Sequence, residues 1–143
     1  MNRKITCGIF IINDNSELLL CHPTHAPDSV LSIPKGLSED EEYAWQTAIR
    51  ETFEETGIEI FPEKLFYVGD CDYTKRNKTL IGFYTKYNFD ISKLICNSYV
   101  DGDRFPEIDY YKAIKIEDAD KYLHHTQREL LEQIKIILNK EVL

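Results

Sequence analysis

The stretch from Ser38 to Gly57, SEDEEYAWQTAIRETFEETG, constrains the fold more than any other part of the chain. Ser38 with Glu41 three residues later has the form of a capping box, which predicts a helix starting near residue 39, and Gly57 supplies its stop. At about 100° per residue, Trp45, Ala48, Ile49, Thr52 and Thr56 fall on one stripe. Glu51, Glu54 and Glu55 fall on the flank beside it, with carboxylates adjacent at i,i+3 and i,i+4 spacing. Such a flank is either solvated, at a cost of about 0.2 to 0.5 kcal/mol per exposed pair, or it faces a cation.

The residues just upstream favour the cation. In SIPKG, residues 32–36, a Pro-Lys-Gly turn ahead of a capped helix lets backbone approach a ligand closely. The glutamates would then face backbone oxygens and Lys35 across a small cleft. Hard oxygen donors of this kind suit Mg²⁺ or Mn²⁺, which keep several waters and bridge to substrate phosphates. A cation there would neutralise the repulsion, polarise a phosphorus centre and acidify a bound water.

Elsewhere the pattern mixes strands and helices. ITCGIFIIN and SELLLCH read as a hairpin turning at Asn13-Asp14-Asn15, and KLFYVGDCDYT and KTLIGFYTKYNF as a second one around residues 75–78. Residues 23–32 look like a loop, DYYKAIKI like another strand and EDADKYL like a short helix. A longer helix follows, with Leu130, Leu131, Ile134, Ile137 and Leu138 at helical spacing. Without regular βαβ alternation, an α+β or three-layer α/β/α arrangement is expected.

At 143 residues, 43% hydrophobic and without a linker or repeat, the chain is expected to form one domain over 1–143. Its net charge of −8 argues against general affinity for nucleic-acid phosphates or anionic lipid. Cys7, Cys21, Cys71 and Cys96 show no metal-ligand spacing and read as structural thiols rather than a zinc site. No apolar run has the length of a membrane span, and a turn signal interrupts the N-terminal apolar segment, so a cytoplasmic protein is expected.

From Gly36 to Ile58 the sequence GLSEDEEYAWQTAIRETFEETGI resembles the Nudix box, G-x5-E-x7-R-E-U-x-E-E-x-G-U with U aliphatic. Gly36, Glu42, Arg50, Glu51, Glu54, Glu55, Gly57 and Ile58 fall in register, and Thr52 at the first U is the one departure. The resemblance implies a Nudix α/β/α sandwich with a mixed β-sheet between helices. It implies hydrolysis of a nucleoside diphosphate linked to another moiety, dependent on Mg²⁺ or Mn²⁺. Glu51, Glu54 and Glu55 would bind the metal with the carbonyl of Gly36. Arg50 would orient a glutamate, and Glu42 would support it as an ion-pair member.

Glu107, just before the strand at 108–116, looks like the further ligand or general base that a later loop supplies in diadenosine polyphosphate hydrolases, with Asp109 and Asp103 as weaker candidates. Lys35, with Arg76 or Arg104, would assist at the phosphates, and Glu51 or Glu107 would act as base. Among Tyr73, Tyr84, Tyr87 and Tyr110, the first two are the expected base-stacking residues, although tyrosines in alternating strands also serve as core. His124 and His125 read as surface or capping residues.

SIPKG and the segment FPEID…IEDADKYLHHTQRELL resemble bacterial Nudix proteins related to diadenosine tetraphosphate hydrolases, in which Trp often precedes the S-x-P-K-G segment. Leu31 holds that place here. The expected partner is therefore a small nucleotide diphosphate derivative, such as diadenosine tetraphosphate, with no nucleic acid or membrane and a monomer or homodimer. The alternatives are a house-cleaning nucleoside triphosphate pyrophosphohydrolase of the MutT type and a non-catalytic Nudix-like nucleotide-binding module.

Overall fold

The first two strands, β1 (Lys4–Ile12) and β2 (Glu17–Pro23), have two apolar faces. Cys7, Ile9, Ile11 and Leu19 join one hydrophobic cluster, whereas Phe10, Ile12, Leu18 and Leu20 join another, and all are buried. Strands of this kind belong in a sheet covered on both sides. A computed structural model, which describes residues 3–100, 102 and 104–142, has that architecture. Asp103 lies outside the described residues.

The mixed sheet is built around β1, which runs parallel to β5 (Lys78–Lys86) and antiparallel to β2 and to the short β3 (Lys35–Leu37). One edge is β4 (Phe66–Asp72), paired with β5, and the other is β8 (Ile108–Lys115), paired with β2. Between β5 and β8, β6 (Tyr99–Val100) and β7 (Phe105–Pro106) form a separate two-stranded ribbon. Helix α1 (Ala44–Thr56) covers the Cys7–Ile9–Ile11 face through Ala48. Helix α2 (His125–Val142) covers the other with Leu130, Leu131 and Ile134, flanked by half-buried Ile137 and Leu138. No helix among the described residues is long and apolar enough to cross a membrane.

Both expected hairpins form. In the first, the Asn13 side-chain oxygen accepts from the amides of Asn15 and Glu17 at 3.0 and 2.9 Å, an Asx turn closing the strands. The short helix expected at EDADKYL is instead two 3₁₀ turns, 116–118 and 120–122, which bury Ile116, Ala119 and Leu123 while the chain swings from β8 to α2.

His22, at the end of β2, is buried and stacks on Tyr110. Its Nδ1 lies 2.6 Å from the Asp109 carboxylate, and its Nε2 lies 3.0 and 3.1 Å from the carbonyls of Ala26 and Pro27. None of these oxygens donates, so only an imidazolium with both N–H groups satisfies them all. Burial works against that charge, but Asp109 and the two carbonyls prevail and hold the pKa above its ordinary value. The linked stability is therefore full below the unfolded-state value of about 6.5 and is lost as pH rises through the higher folded-state value. Asp109→Asn should flatten this fall in melting temperature on the alkaline side, as followed by thermal denaturation across pH. An unchanged profile would exclude the charged imidazole.

Candidate active site

Helix α1 begins at Ala44, five residues later than the capping signal at Ser38 implies. Glu41 takes the left-handed region at φ 66°, which keeps the preceding turn from continuing into the helix. The acid that reaches back is Glu42, whose Oε1 accepts from the Glu39 amide at 3.0 Å, while the helix itself starts with the Tyr43 amide donating to Gln46 Oε1 at 2.9 Å. Its end is as expected: Gly57 adopts φ 79° and donates to the Phe53 carbonyl at 2.9 Å.

The buried face of α1 is also rotated from the expected stripe. Trp45 is exposed, whereas Glu51 and Glu55 are buried, at 9% and 2% exposure. The cause is β3, which crosses beside the helix and covers the flank that the glutamates occupy. A Cβ on Gly36 would lie only 2.1–2.4 Å from the Glu51 carboxyl group, so glycine is what lets the β3 backbone and this side chain share the space. Glu55 Oε1 accepts from the Lys35 amide at 3.4 Å, and its Oε2 is buried with no partner among the described residues.

Arg50 organises the acids around it. Its Nε and Nη2 donate to the two Glu42 oxygens at 2.7 and 3.0 Å, a fork that holds the Glu42 pKa down at about 2. Nη1 donates to Glu51 at 2.9 Å and to Glu54 at 3.2 Å, and Nη2 also reaches the Leu37 carbonyl at 3.1 Å. Glu42 is thus an ion-pair partner, and Arg50 orients both Glu51 and Glu54.

Glu107 reaches this cluster from a distant part of the chain. Its amide donates to the Ser98 carbonyl, its carbonyl accepts from the Thr24 amide, and its carboxylate accepts from the Ser98 hydroxyl. The β6–β7 ribbon and the loop after β2 thereby clamp it at the cavity. That cavity, of about 340 Å³, is lined by Lys35, Gly36, Glu51, Glu54, Ser98 and Glu107 among others. Burial, then the charges of Glu54 and Glu107, raise the Glu51 pKa; burial, then Glu107 and Glu51, raise that of Glu55 well above the carboxylate range.

Crowded acids, an unpartnered buried carboxylate oxygen and a glycine backbone drawn against Glu51 fit a hard divalent cation. Gly36→Ala should displace the Glu51 carboxylate and lower turnover about 100-fold, the scale expected of a misplacement of about 1 Å. Steady-state kinetics alongside an unfolding curve would check this, and wild-type turnover would contradict the packing.

A second cavity of about 450 Å³ lies next to the first, with Lys35 and Lys78 lining both. Its wall includes Leu31, Tyr73, Arg76, His124 and Gln127. The Tyr73 and His124 rings meet at 4.9 Å, and Lys78 Nζ sits 4.8 Å from the Tyr73 ring centre. His124 also caps α2, its Nδ1 accepting from the Thr126 amide at 3.3 Å, so the capping expectation holds but omits its place in the cavity. No spacing signal links Tyr73 to His124; the sheet brings them together.

Other expected contributors are placed elsewhere. Tyr84 is a correction: the alternation of β5 turns it into the core beneath α2, with its hydroxyl donating to Glu141 at 3.2 Å, and it lines neither of these cavities. Tyr110 stacks on His22, and Tyr87 borders a separate cleft near Ile58 and Phe61. Arg104 lies over the Phe105 ring, and Asp109 is engaged by His22. Cys7, Cys21 and Cys96 are buried free thiols, whereas Cys71 is half-buried.

The family model described as the NUDIX domain matches residues 2–134. None of the curated proteins matches the sequence significantly. Among solved structures, the Caenorhabditis elegans Ap4A hydrolase binary complex superposes with a TM-score of 0.73 at 24% identity, covering 96% of this chain and 98% of that one. The Escherichia coli dihydroneopterin triphosphate pyrophosphohydrolase gives 0.70 at 19% identity, with 93% and 97% covered. The NUDIX domain of Shewanella oneidensis NrtR complexed with ADP ribose gives 0.73 at 14% identity, with 96% and 90% covered. At these identities the likeness is one of fold.

Proposed function

Since the chain belongs to the Nudix family, whose hydrolases act on phosphoanhydride bonds and generally use divalent metal ions, we propose that it hydrolyses a dinucleoside polyphosphate such as diadenosine tetraphosphate with Mg²⁺ or Mn²⁺. The observation that carries this reading is the pair of adjoining cavities bridged by Lys35 and Lys78. An aromatic pair suited to a nucleobase stands in one, and a carboxylate cluster suited to a metal-bound phosphate stands in the other.

Glu51, Glu54, Glu55 and the Gly36 carbonyl would hold the cation, with Glu107 as a further ligand or base. A divalent cation bound there offsets phosphate charge and makes water a better nucleophile. Either Glu51 or Glu107 takes the proton as the water oxygen bonds to phosphorus. The bridging P–O bond breaks, and its electron pair leaves with the departing phosphate. Arg50 keeps Glu51 and Glu54 aimed at the cavity, while Lys35 and Lys78 lower the charge of the polyphosphate. Tyr73 and His124 hold the base, and through it the scissile bond's position.

Product analysis tests the assignment. Diadenosine tetraphosphate with Mg²⁺ should yield ATP and AMP in equal amounts. Release of pyrophosphate from single nucleoside triphosphates, with the dinucleotide left intact, would place the enzyme with the triphosphate pyrophosphohydrolases instead. Tight binding without turnover of nucleotides, dinucleotides, nucleotide sugars or NADH would identify a binding module.

A further inference from the structure

On the opposite side of the sheet from α1, three side chains of different donor type converge. Cys71 is on edge strand β4, and His125 and Glu129 lie at i and i+4 in the first turns of α2. One ligand atom from each lies within 4.8 Å of the other two. Cys71 Sγ is 2.8 Å from Glu129 Oε2. His125 Nε2 is buried and has no hydrogen-bond partner among the described residues. A thiol donating to Glu129 accounts for two of the three groups but leaves this imidazole nitrogen unsatisfied, a loss on the order of 1–3 kcal/mol.

We propose that Cys71, His125 and Glu129 form a binding site for a divalent cation of the zinc class, separate from the carboxylate cavity. Sulfur, imidazole nitrogen and carboxylate oxygen are the donors that Zn²⁺ takes, and three protein ligands leave the fourth tetrahedral position to water. A thiolate–imidazole set discriminates against Mg²⁺, which prefers oxygen donors throughout. On binding, the Cys71 S–H bond breaks, sulfur donates its electron pair to the cation and the proton goes to solvent, with no change of oxidation state. Without the cation, burial and the Glu129 carboxylate hold the thiol protonated, with its pKa raised to about 12. The cation ties β4 to the start of α2. Tyr73 lies two residues beyond Cys71 and His124 directly precedes His125, so the same tie restrains the aromatic pair of the second cavity.

The test is titration of the full chain, stripped with a chelator, with Co²⁺ as a spectroscopic stand-in. A thiolate-to-Co²⁺ charge-transfer band should saturate at one ion per chain, with release of a proton. Zn²⁺ should abolish it, and excess Mg²⁺ should not. Cys71→Ser and, independently, His125→Gln should lose the band while keeping the wild-type circular dichroism spectrum, and Glu54→Gln should retain it. Absence of the band at one equivalent, or its persistence in Cys71→Ser, would overturn the site. The carboxylate cavity cannot mimic the result, because oxygen ligands give no sulfur charge-transfer band.

Discussion

Glu54→Gln is expected to lower kcat/KM for the dinucleotide by about 10³-fold while leaving the fold intact. The substitution removes an anionic donor from the cation-binding wall and keeps the shape of the side chain. Transition-state stabilisation by a metal amounts to several kcal/mol, and about 4 kcal/mol corresponds to roughly 10³ in rate. The Glu54 side chain is 38% exposed and pairs with Arg50, which keeps Glu42 and Glu51 as partners. Its contribution to stability should therefore stay within about 0.5 kcal/mol, as for other surface substitutions. Kinetics at several Mg²⁺ concentrations, paired with a thermal melt, separate the two effects. Turnover at the wild-type level on every diphosphate tested would refute the assignment of this cavity as the reaction centre.

Arg50→Ala should damage stability and activity together. The guanidinium is the shared partner of Glu42, Glu51 and Glu54 and also satisfies the Leu37 carbonyl ahead of α1. Truncation leaves partly buried carboxylates without their counter-charge, for which a loss of about 3 kcal/mol is expected. Glu51 and Glu54 would lose their common anchor, so turnover should fall by at least the factor expected for Gly36→Ala. Arg50→Lys is the informative control, because it keeps the charge but not the planar fork that grips both Glu42 oxygens. Urea denaturation should show Lys recovering part of the stability, and kinetics should show little recovery of rate. Full recovery of rate by Lys would mean that charge alone, and not the fork, positions the glutamates.

The two residues also differ in how visible their contacts are in the sequence. Glu54 is read from helical spacing alone, since it needs only the i,i+3 relation to Glu51. The reach of Arg50 to Glu42 depends on a turn at residues 38–42 that the local signal at Ser38 misassigns to the helix. The competing force there was tertiary: Glu42 is drawn to Arg50 and Thr47, and Glu41 accepts a left-handed conformation to allow it. The same kind of override buries Glu51 and Glu55 and exposes Trp45. Periodicity locates the helix flank, but β3 decides that the flank is covered.

Tyr84 shows a different limit. Alternation in β5 indicates that it faces one side of the sheet, but both sides of this sheet are covered, and only the packing of α2 reveals that its side is core. Conversely, His124 reads as a capping residue and does cap, yet its ring also completes a cavity wall with a tyrosine from β4's end.

What the sequence determined by itself is local and periodic: two hairpins of apolar strands, the first turning at Asx residues, an amphipathic C-terminal helix and three glutamates on one helix flank behind a glycine turn. These follow from repeat distances of two and about 3.6 residues, which need no knowledge of the rest of the chain. The tertiary structure alone decided which distant groups meet. Tyr73 meets His124, Asp109 holds His22, and Cys71 comes to His125 and Glu129, while the place of Glu107 beside Glu51 and Glu54 was indicated beforehand by the family resemblance and not by any local pattern. Each of these meetings depends on strand order and on which helix covers which face. Both are set by burial of the whole core rather than by any short segment.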